Sequence, residues 1–174
     1  MYRDMVISAA CSLENNKETV NNLNVFPVPD GDTGINMSLT MSGVRGDFKN
    51  FDGTLGETAQ KAANLMLRGA RGNSGVILSL FFRGLAKAWA KNEEADMEDV
   101  VRGLKKGVSE AYRAVMNPTE GTILTVMRVM AETAEQALSD GVIVDMKALF
   151  AFMLASAKET LDKTPEMLPV LKQA

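Results

Sequence analysis

The feature that most restricts this chain is its apolar period. Over nearly all of its 174 residues, apolar side chains recur at intervals of three and four, and strand-like alternation is scarce. Such a chain can bury one face of each of several helices and has almost nothing to pair into a sheet. Helix signals divide it into segments. Tyr2 to Leu23 reads as helix with a break near Asn15-Asn16, and Gly34 to Val44 as a second. Thr54-Leu55-Gly56-Glu57 has the capping-box form and opens a third, to about Leu67. A fourth runs from Ser74 to Ala90. Asp96 caps a fifth that reaches Met116, where Asn117-Pro118 stops it. Thr122 to about Leu138, ended by Asp140-Gly141, is the next, and Asp145 opens another to about Leu161. Thr164-Pro165-Glu166, with proline at a first helical position, predicts the start of a last helix. Short loops make sequential helices antiparallel neighbours. The expected fold is all-α, an antiparallel up-and-down barrel or bundle of about eight helices in one domain, 1–174.

Composition removes whole classes of chemistry. The chain has no histidine, which excludes His-based zinc sites, Ser-His and Cys-His nucleophile pairs and phosphohistidine intermediates. Its net charge of -3 is a poor match for nucleic acid, which wants a basic face, and no polybasic stretch offers itself to an anionic membrane. The one cysteine, Cys11, excludes an internal disulfide framework and favours a reducing compartment. Its apolar-small neighbours predict a buried thiol. There is neither a signal-peptide pattern nor a stretch long and apolar enough to span a bilayer, so the cytoplasm is the expected location. The chain starts abruptly, and Leu171-Lys172-Gln173-Ala174 stops inside a helix-like pattern, as a piece of a longer protein would. Val142-Ile143-Val144, Leu149, Phe150, Phe152, Met153 and Leu154 read as core rather than as a lipid pocket, and the twelve methionines as fillers of helix–helix gaps.

Two segments break the helical regularity, and both lead directly into helices. The first is Asn24-Val25-Phe26-Pro27-Val28-Pro29-Asp30-Gly31-Asp32-Thr33-Gly34-Ile35-Asn36. Pro27 and Pro29 stiffen the approach. Asp30 and Asp32 then present two carboxylates across one glycine, and a divalent cation removes their repulsion. Asn24 and Asn36 could add amide oxygens. Oxygen-only ligands suit Mg²⁺ or Ca²⁺ rather than zinc. An EF-hand fails, because Gly34 and Met41 occupy its fifth and twelfth positions. The helix that follows offers free N–H groups to an anion. A plain Asp-Gly-Asp turn with Asp as N-cap is the competing reading; the Pro-x-Pro brace and the Thr-Gly-x-Asn that follows weigh against it.

The second segment is Arg68-Gly69-Ala70-Arg71-Gly72-Asn73-Ser74-Gly75. Its glycines let backbone approach a ligand closely, Arg71 could neutralise a transferring phosphoryl group, and Asn73 and Ser74 could cap a helix or bond phosphate. It lacks the Gly-Lys-Ser/Thr ending of a Walker A loop. A plain helix–helix connection would also explain it. Glu120-Gly121-Thr122, at a further helix start, reads on its own as a cap.

Together these residues resemble a known family. The run Leu23 to Met37, the run Gly69 to Leu78 and the run Glu120 to Val126 are similar to the N-terminal domain of the bacterial fatty acid kinases. That domain is in turn similar to the nucleotide-binding L domain of dihydroxyacetone kinases. The resemblance covers essentially the whole chain. It implies a closed barrel of about eight antiparallel helices holding ATP or ADP and two Mg²⁺ at one end. Asp30 and Asp32 would ligate the metals, with Asn24 standing where dihydroxyacetone kinases have a third aspartate. Thr33, Gly34, Asn36, Asn73 and Ser74 would meet phosphates, Thr122 would be a further nucleotide contact, and Arg71 would act on the transferring group.

The resemblance also implies direct phosphoryl transfer, with no protein nucleophile, to a fatty acid carried by a separate lipid-binding protein, giving an acyl phosphate. A homodimer is expected in such a family. The family's chain continues beyond this one, with a Gly-rich segment that closes over the nucleotide, so this stretch alone is expected to bind ATP weakly and to be inactive. Two rivals stand beside this reading: the same ATP site serving a small hydroxyketone acceptor, and a regulatory adaptor without catalysis.

Overall fold

A computed structural model describes residues 1–173, so Ala174, the last residue of the sequence-defined domain, lies outside the described residues. The described chain is helical throughout, with α1 Tyr2–Asn22, α2 Thr33–Met41, α3 Leu55–Gly69, α4 Gly72–Ala88, α5 Met97–Tyr112, α6 Ile123–Ser139 and α7 Met146–Met167. Short 3₁₀ turns at Ser42–Arg45 and Asp47–Asn50 join α2 to α3, and another, Pro169–Gln173, follows α7.

The boundaries come from local chemistry. The Thr54 hydroxyl accepts the Glu57 N–H at 3.2 Å while the Glu57 carboxylate accepts the Thr54 N–H at 2.9 Å, a reciprocal capping box that starts α3. Asp96 and Asp99 do the same for α5, and Asp145 accepts the Ala148 N–H at 2.7 Å to start α7. Gly141, at φ +69°, ends α6: its N–H reaches the Leu138 carbonyl and that of Val142 the Ala137 carbonyl, the two bonds of a Schellman stop.

Two expected boundaries are corrected. No break occurs at Asn15-Asn16; the Asn16 amide folds back on the Ser12 carbonyl at 2.8 Å and α1 runs on. No helix starts at Thr164, because α7 continues through Pro165. Proline denies a hydrogen bond to the carbonyl four residues back. That carbonyl belongs to Leu161, and the Thr164 hydroxyl donates to it at 2.8 Å. The defect is repaired from within the helix.

Each helix packs antiparallel on the next, and α2 also lies along α4. The tightest pair is α4 with α5, where Gly84 meets Gly107 backbone to backbone. Phe48, Met66, Val44 and Leu149 are among the fully buried side chains, and α3 presents Ala59, Ala62 and Ala63 so that its neighbours approach closely. α7 packs chiefly on α6, and α1 chiefly on α2.

Other expectations of burial are also corrected. Cys11 is exposed, one residue round the helix from the buried Ala10. Ile143, Leu149 and Met153 are core, but Val142, Val144 and Leu154 face outward. No described helix is long and apolar enough to cross a membrane.

The far end of the bundle, where α3 and α5 begin, carries a polar orphan. The Tyr2 ring lies edge-on to Trp89 at 5.4 Å, and its hydroxyl is buried with no hydrogen-bond partner among the described residues. Burial pushes its ionisation well above the ordinary range. Removing an unpaired buried hydroxyl relieves a desolvation cost. Tyr2→Phe is expected to stabilise the chain by about 1 kcal/mol, raising Tm by roughly 2–4 °C. A lower Tm in scanning calorimetry would show that the hydroxyl finds a partner in solution.

Candidate functional site

Because the helices alternate in direction, the loops that the sequence singles out share one end. That end holds the starts of α2, α4 and α6 and the finishes of α1, α3, α5 and α7.

The acidic loop joins α1 to α2. The Asn24 side chain braces it, donating to the Val28 carbonyl at 3.1 Å and accepting the Asp32 N–H at 3.3 Å. Its amide oxygen, expected as a metal ligand, is thus also a brace. Gly31, at φ +66°, supplies the left-handed turn between exposed Asp30 and half-buried Asp32. Asp32 occupies the N-cap position of α2, yet its carboxylate makes no capping bond. The cap comes from Asn21 in the last turn of α1, whose oxygen accepts Gly34 N–H at 2.8 Å and Ile35 N–H at 3.1 Å. Neither the Asp30 nor the Asp32 carboxylate has a hydrogen-bond or ion-pair partner among the described residues. An aspartate at this position normally spends its carboxylate on the helix; here a buried asparagine frees it. The same bonds occupy N–H groups that the sequence reading offered to an anion.

α2 is seated on α1 by more than the cap. Gly34 lies against the Lys17 backbone so closely that an added Cβ would stand 2.1 Å from its carbonyl oxygen. Further along, the buried Ser38 hydroxyl donates to Glu14, which also accepts Lys17 Nζ at 2.7 Å and faces Arg45 at 3.6 Å. The Lys17 ammonium, then the Ser38 hydroxyl, hold the Glu14 carboxyl below the usual range. A carboxylate depressed in the folded state contributes stability above its unfolded pKa, about 4.3, and loses it as pH falls through the lower folded value. Glu14→Gln is expected to lower Tm at pH 7 and to leave it nearly unchanged near pH 3, read by paired thermal melts. An equal deficit at both values would remove the charged clamp from the account.

The glycine-arginine loop joins α3 to α4. α4 starts at Gly72, so Asn73 and Ser74 lie in its first turn, and no side chain caps it. The Arg71 guanidinium is exposed and, among the described residues, donates only to the Ala70 carbonyl, at 3.0 Å. Helices α3, α5 and α7, which start at the opposite end, are all side-chain capped, whereas α4 and α6 are not. The two loops touch: Asn36 packs on Gly72, and the Arg71 N–H donates to the Thr40 hydroxyl at 3.2 Å. Asp32, Thr33, Gly34 and Asn36 therefore stand on one side of this contact, with Arg71, Asn73 and Ser74 on the other.

Thr122 is not part of that contact. It opens α6, which is separated from α4 by α5. Its hydroxyl donates to the Thr119 carbonyl at 2.9 Å. Its loop is held by a polar knot in which Glu120 accepts Thr125 and Arg128, both at 2.8 Å, while Arg128 also donates to the Tyr112 hydroxyl at 3.1 Å. The Thr125 hydroxyl, then Arg128, keep the Glu120 carboxyl low. No group of three or more carboxylates and cysteines poised for a metal occurs among the described residues. Two surface grooves lie elsewhere, along α1 at Met5 and Ser12 and between α5 and α6 at Arg102 and Glu135.

Sequence reading missed Asn21 and Thr40. Neither belongs to a motif; each acts on a segment it meets only after folding.

Comparison with known proteins shows the family of the chain. Residues 27–174 match the DAK2 domain, and the chain belongs to that family. It is a domain of the dihydroxyacetone kinase family's nucleotide-binding part. Over 174 residues it is 44% identical to an uncharacterized protein of Staphylococcus saprophyticus, covering 99% of this chain and 31% of that protein. Uncharacterized proteins of Staphylococcus epidermidis and Staphylococcus aureus are each 42% identical over the same span. The chain thus spans about a third of the length of these relatives.

Proposed function

We propose that this chain holds Mg²⁺ and ATP for a kinase whose acceptor is a fatty acid presented by a separate lipid-binding protein, the product being an acyl phosphate. The observation that carries the nucleotide half is the pair of uncommitted carboxylates, Asp30 and Asp32, kept free by the Asn21 cap beside the uncapped start of α4. Their donor set fits Mg²⁺, which takes one or two protein carboxylates and completes its shell with water and phosphate oxygens. Bound Mg²⁺ would neutralise phosphate charge during phosphoryl transfer.

The chain's own residues have distinct tasks. Asp30 and Asp32 serve as the ligands of the cation, and Asn24 keeps their loop in shape. The first turn of α4, with Asn73 and Ser74, offers N–H groups and polar side chains to phosphate oxygens. Arg71, exposed beside it, is free to swing toward transferred charge. Gly34 and Thr122 fit a phosphate role less well, since the first is buried against α1 and the second lies two helices away.

The acyl acceptor is supported by the resemblance of the Leu23–Met37 run to fatty acid kinases, and by relatives long enough to carry acceptor-binding parts. The test is a product assay on the full-length protein with ATP and Mg²⁺, offering either fatty acid on its carrier protein or dihydroxyacetone. Acyl phosphate with the first supports the proposal. Phosphorylated hydroxyketone replaces the acceptor, and no transfer to either leaves an adaptor.

A further inference from the structure

The glycines of the second loop have an occupant already, and it is not a ligand. A Cβ at Gly75 would stand 2.2 Å from the Thr40 hydroxyl oxygen, one at Gly72 2.5 Å from the Asn36 side-chain amide, and one at Gly69 3.0 Å from the Thr40 carbonyl oxygen. The loop is a seat for α2, and the residue at its centre is Thr40, wholly buried. Its hydroxyl donates to the Asn36 carbonyl at 2.7 Å and accepts the Arg71 N–H at 3.2 Å. A hydroxyl has one proton to give, so once it is committed to Asn36 the oxygen is oriented to receive Arg71. Arg71 is the residue immediately before α4, and Asp32 the residue immediately before α2. One buried hydroxyl therefore ties the helix that follows the carboxylate pair to the start of the helix that faces phosphate.

The geometry points to Thr40 as a positioning residue that sets the cation-holding pair at its working separation from the phosphate-facing turn of α4. This rests on the nucleotide reading above and adds to it the source of cooperation between cation and nucleotide. Each ligand would bind more tightly when the other is present only if their two half-sites are held in register, and that mutual effect is a coupling between sites. Thr40 touches neither ligand, so it acts on the coupling rather than on either affinity alone.

The measurement is ATP affinity by calorimetry on the intact protein, with Mg²⁺ and with EDTA, for the native chain, Thr40→Val, Thr40→Ala and Thr40→Ser. Valine keeps the shape and leaves the Arg71 N–H without its partner; alanine removes the hydroxyl without a second branch, should valine not fold; serine keeps the hydroxyl. The factor by which Mg²⁺ tightens ATP is expected to fall about tenfold in Thr40→Val and Thr40→Ala, with Mg²⁺-free affinity within about twofold of native, and to be retained in Thr40→Ser. An unchanged factor in the folded hydroxyl-less variants overturns the assignment. So does an equal loss of affinity with and without Mg²⁺, the mark of a merely structural residue. A native protein whose ATP binding ignores Mg²⁺ overturns the nucleotide reading itself, and this inference with it.

Discussion

Replacing Asp30 or Asp32 by alanine is expected to weaken Mg²⁺-dependent ATP binding by at least about a hundredfold, some 3 kcal/mol, while the helical circular dichroism stays native. Both halves of that expectation follow from the same fact. Neither carboxylate has a partner among the described residues, and Asp32 does not cap the helix it precedes, because Asn21 does. Removing either aspartate side chain therefore breaks no described hydrogen bond or ion pair of the fold, and it removes one of two like charges. An aspartate that served as a cap would instead cost about 1 kcal/mol of stability when truncated. Calorimetry with Mg·ATP, beside a thermal melt of each variant, separates the two roles. Normal Mg·ATP binding by Asp30→Ala would end the assignment of this loop to the cation.

Gly34→Ala is expected to destabilise the chain by about 3 kcal/mol, lowering Tm by roughly 6–12 °C. In an open helical position the same change would help by about 1 kcal/mol, since alanine is the better helix former. Here the new methyl meets the Lys17 carbonyl oxygen at 2.1 Å and its carbonyl carbon at 2.8 Å, and backbone cannot rotate aside as a side chain would. α1 and α2 must separate, loosening the Asn21 cap and the Ser38–Glu14 bond together. Gly141→Ala is the control: nothing lies within 4 Å of an added Cβ there, and its cost comes from φ +69° alone. A denaturant titration in which Gly34→Ala keeps its midpoint, beside a loss of nucleotide affinity, would return Gly34 to the phosphate role that the family resemblance implies.

What could be read before folding was local. The capping box at Thr54, the caps at Asp96 and Asp145 and the stop at Gly141 each join residues three to five apart, and the structure shows all of them. The all-helical class follows from the same range of spacing. The sequence also singled out the acidic loop and the glycine-arginine loop, because proline, glycine and paired aspartates interrupt a period that is otherwise continuous. It went astray where local signals had a local answer it could not see, as at Thr164, whose hydroxyl repairs the proline gap that looked like a helix start.

The rest belongs to contacts between elements. Asn21 reaches α2 across 13 positions and Thr40 reaches Arg71 across 31, and neither distance leaves a period or motif in the chain. The same is true of Gly34, whose lost side chain makes room for α1, and of Gly75, which makes room for Thr40. A glycine that admits a ligand and one that admits a neighbouring helix are the same letter. By itself, then, the sequence determined the helical class, the local caps of α3, α5 and α7 and the two carboxylates of the acidic loop, since short-range hydrogen bonds and charge need only near neighbours. Tertiary structure alone decided which groups those helices consume and which they leave free, because a carboxylate's availability depends on what else has come to do its work.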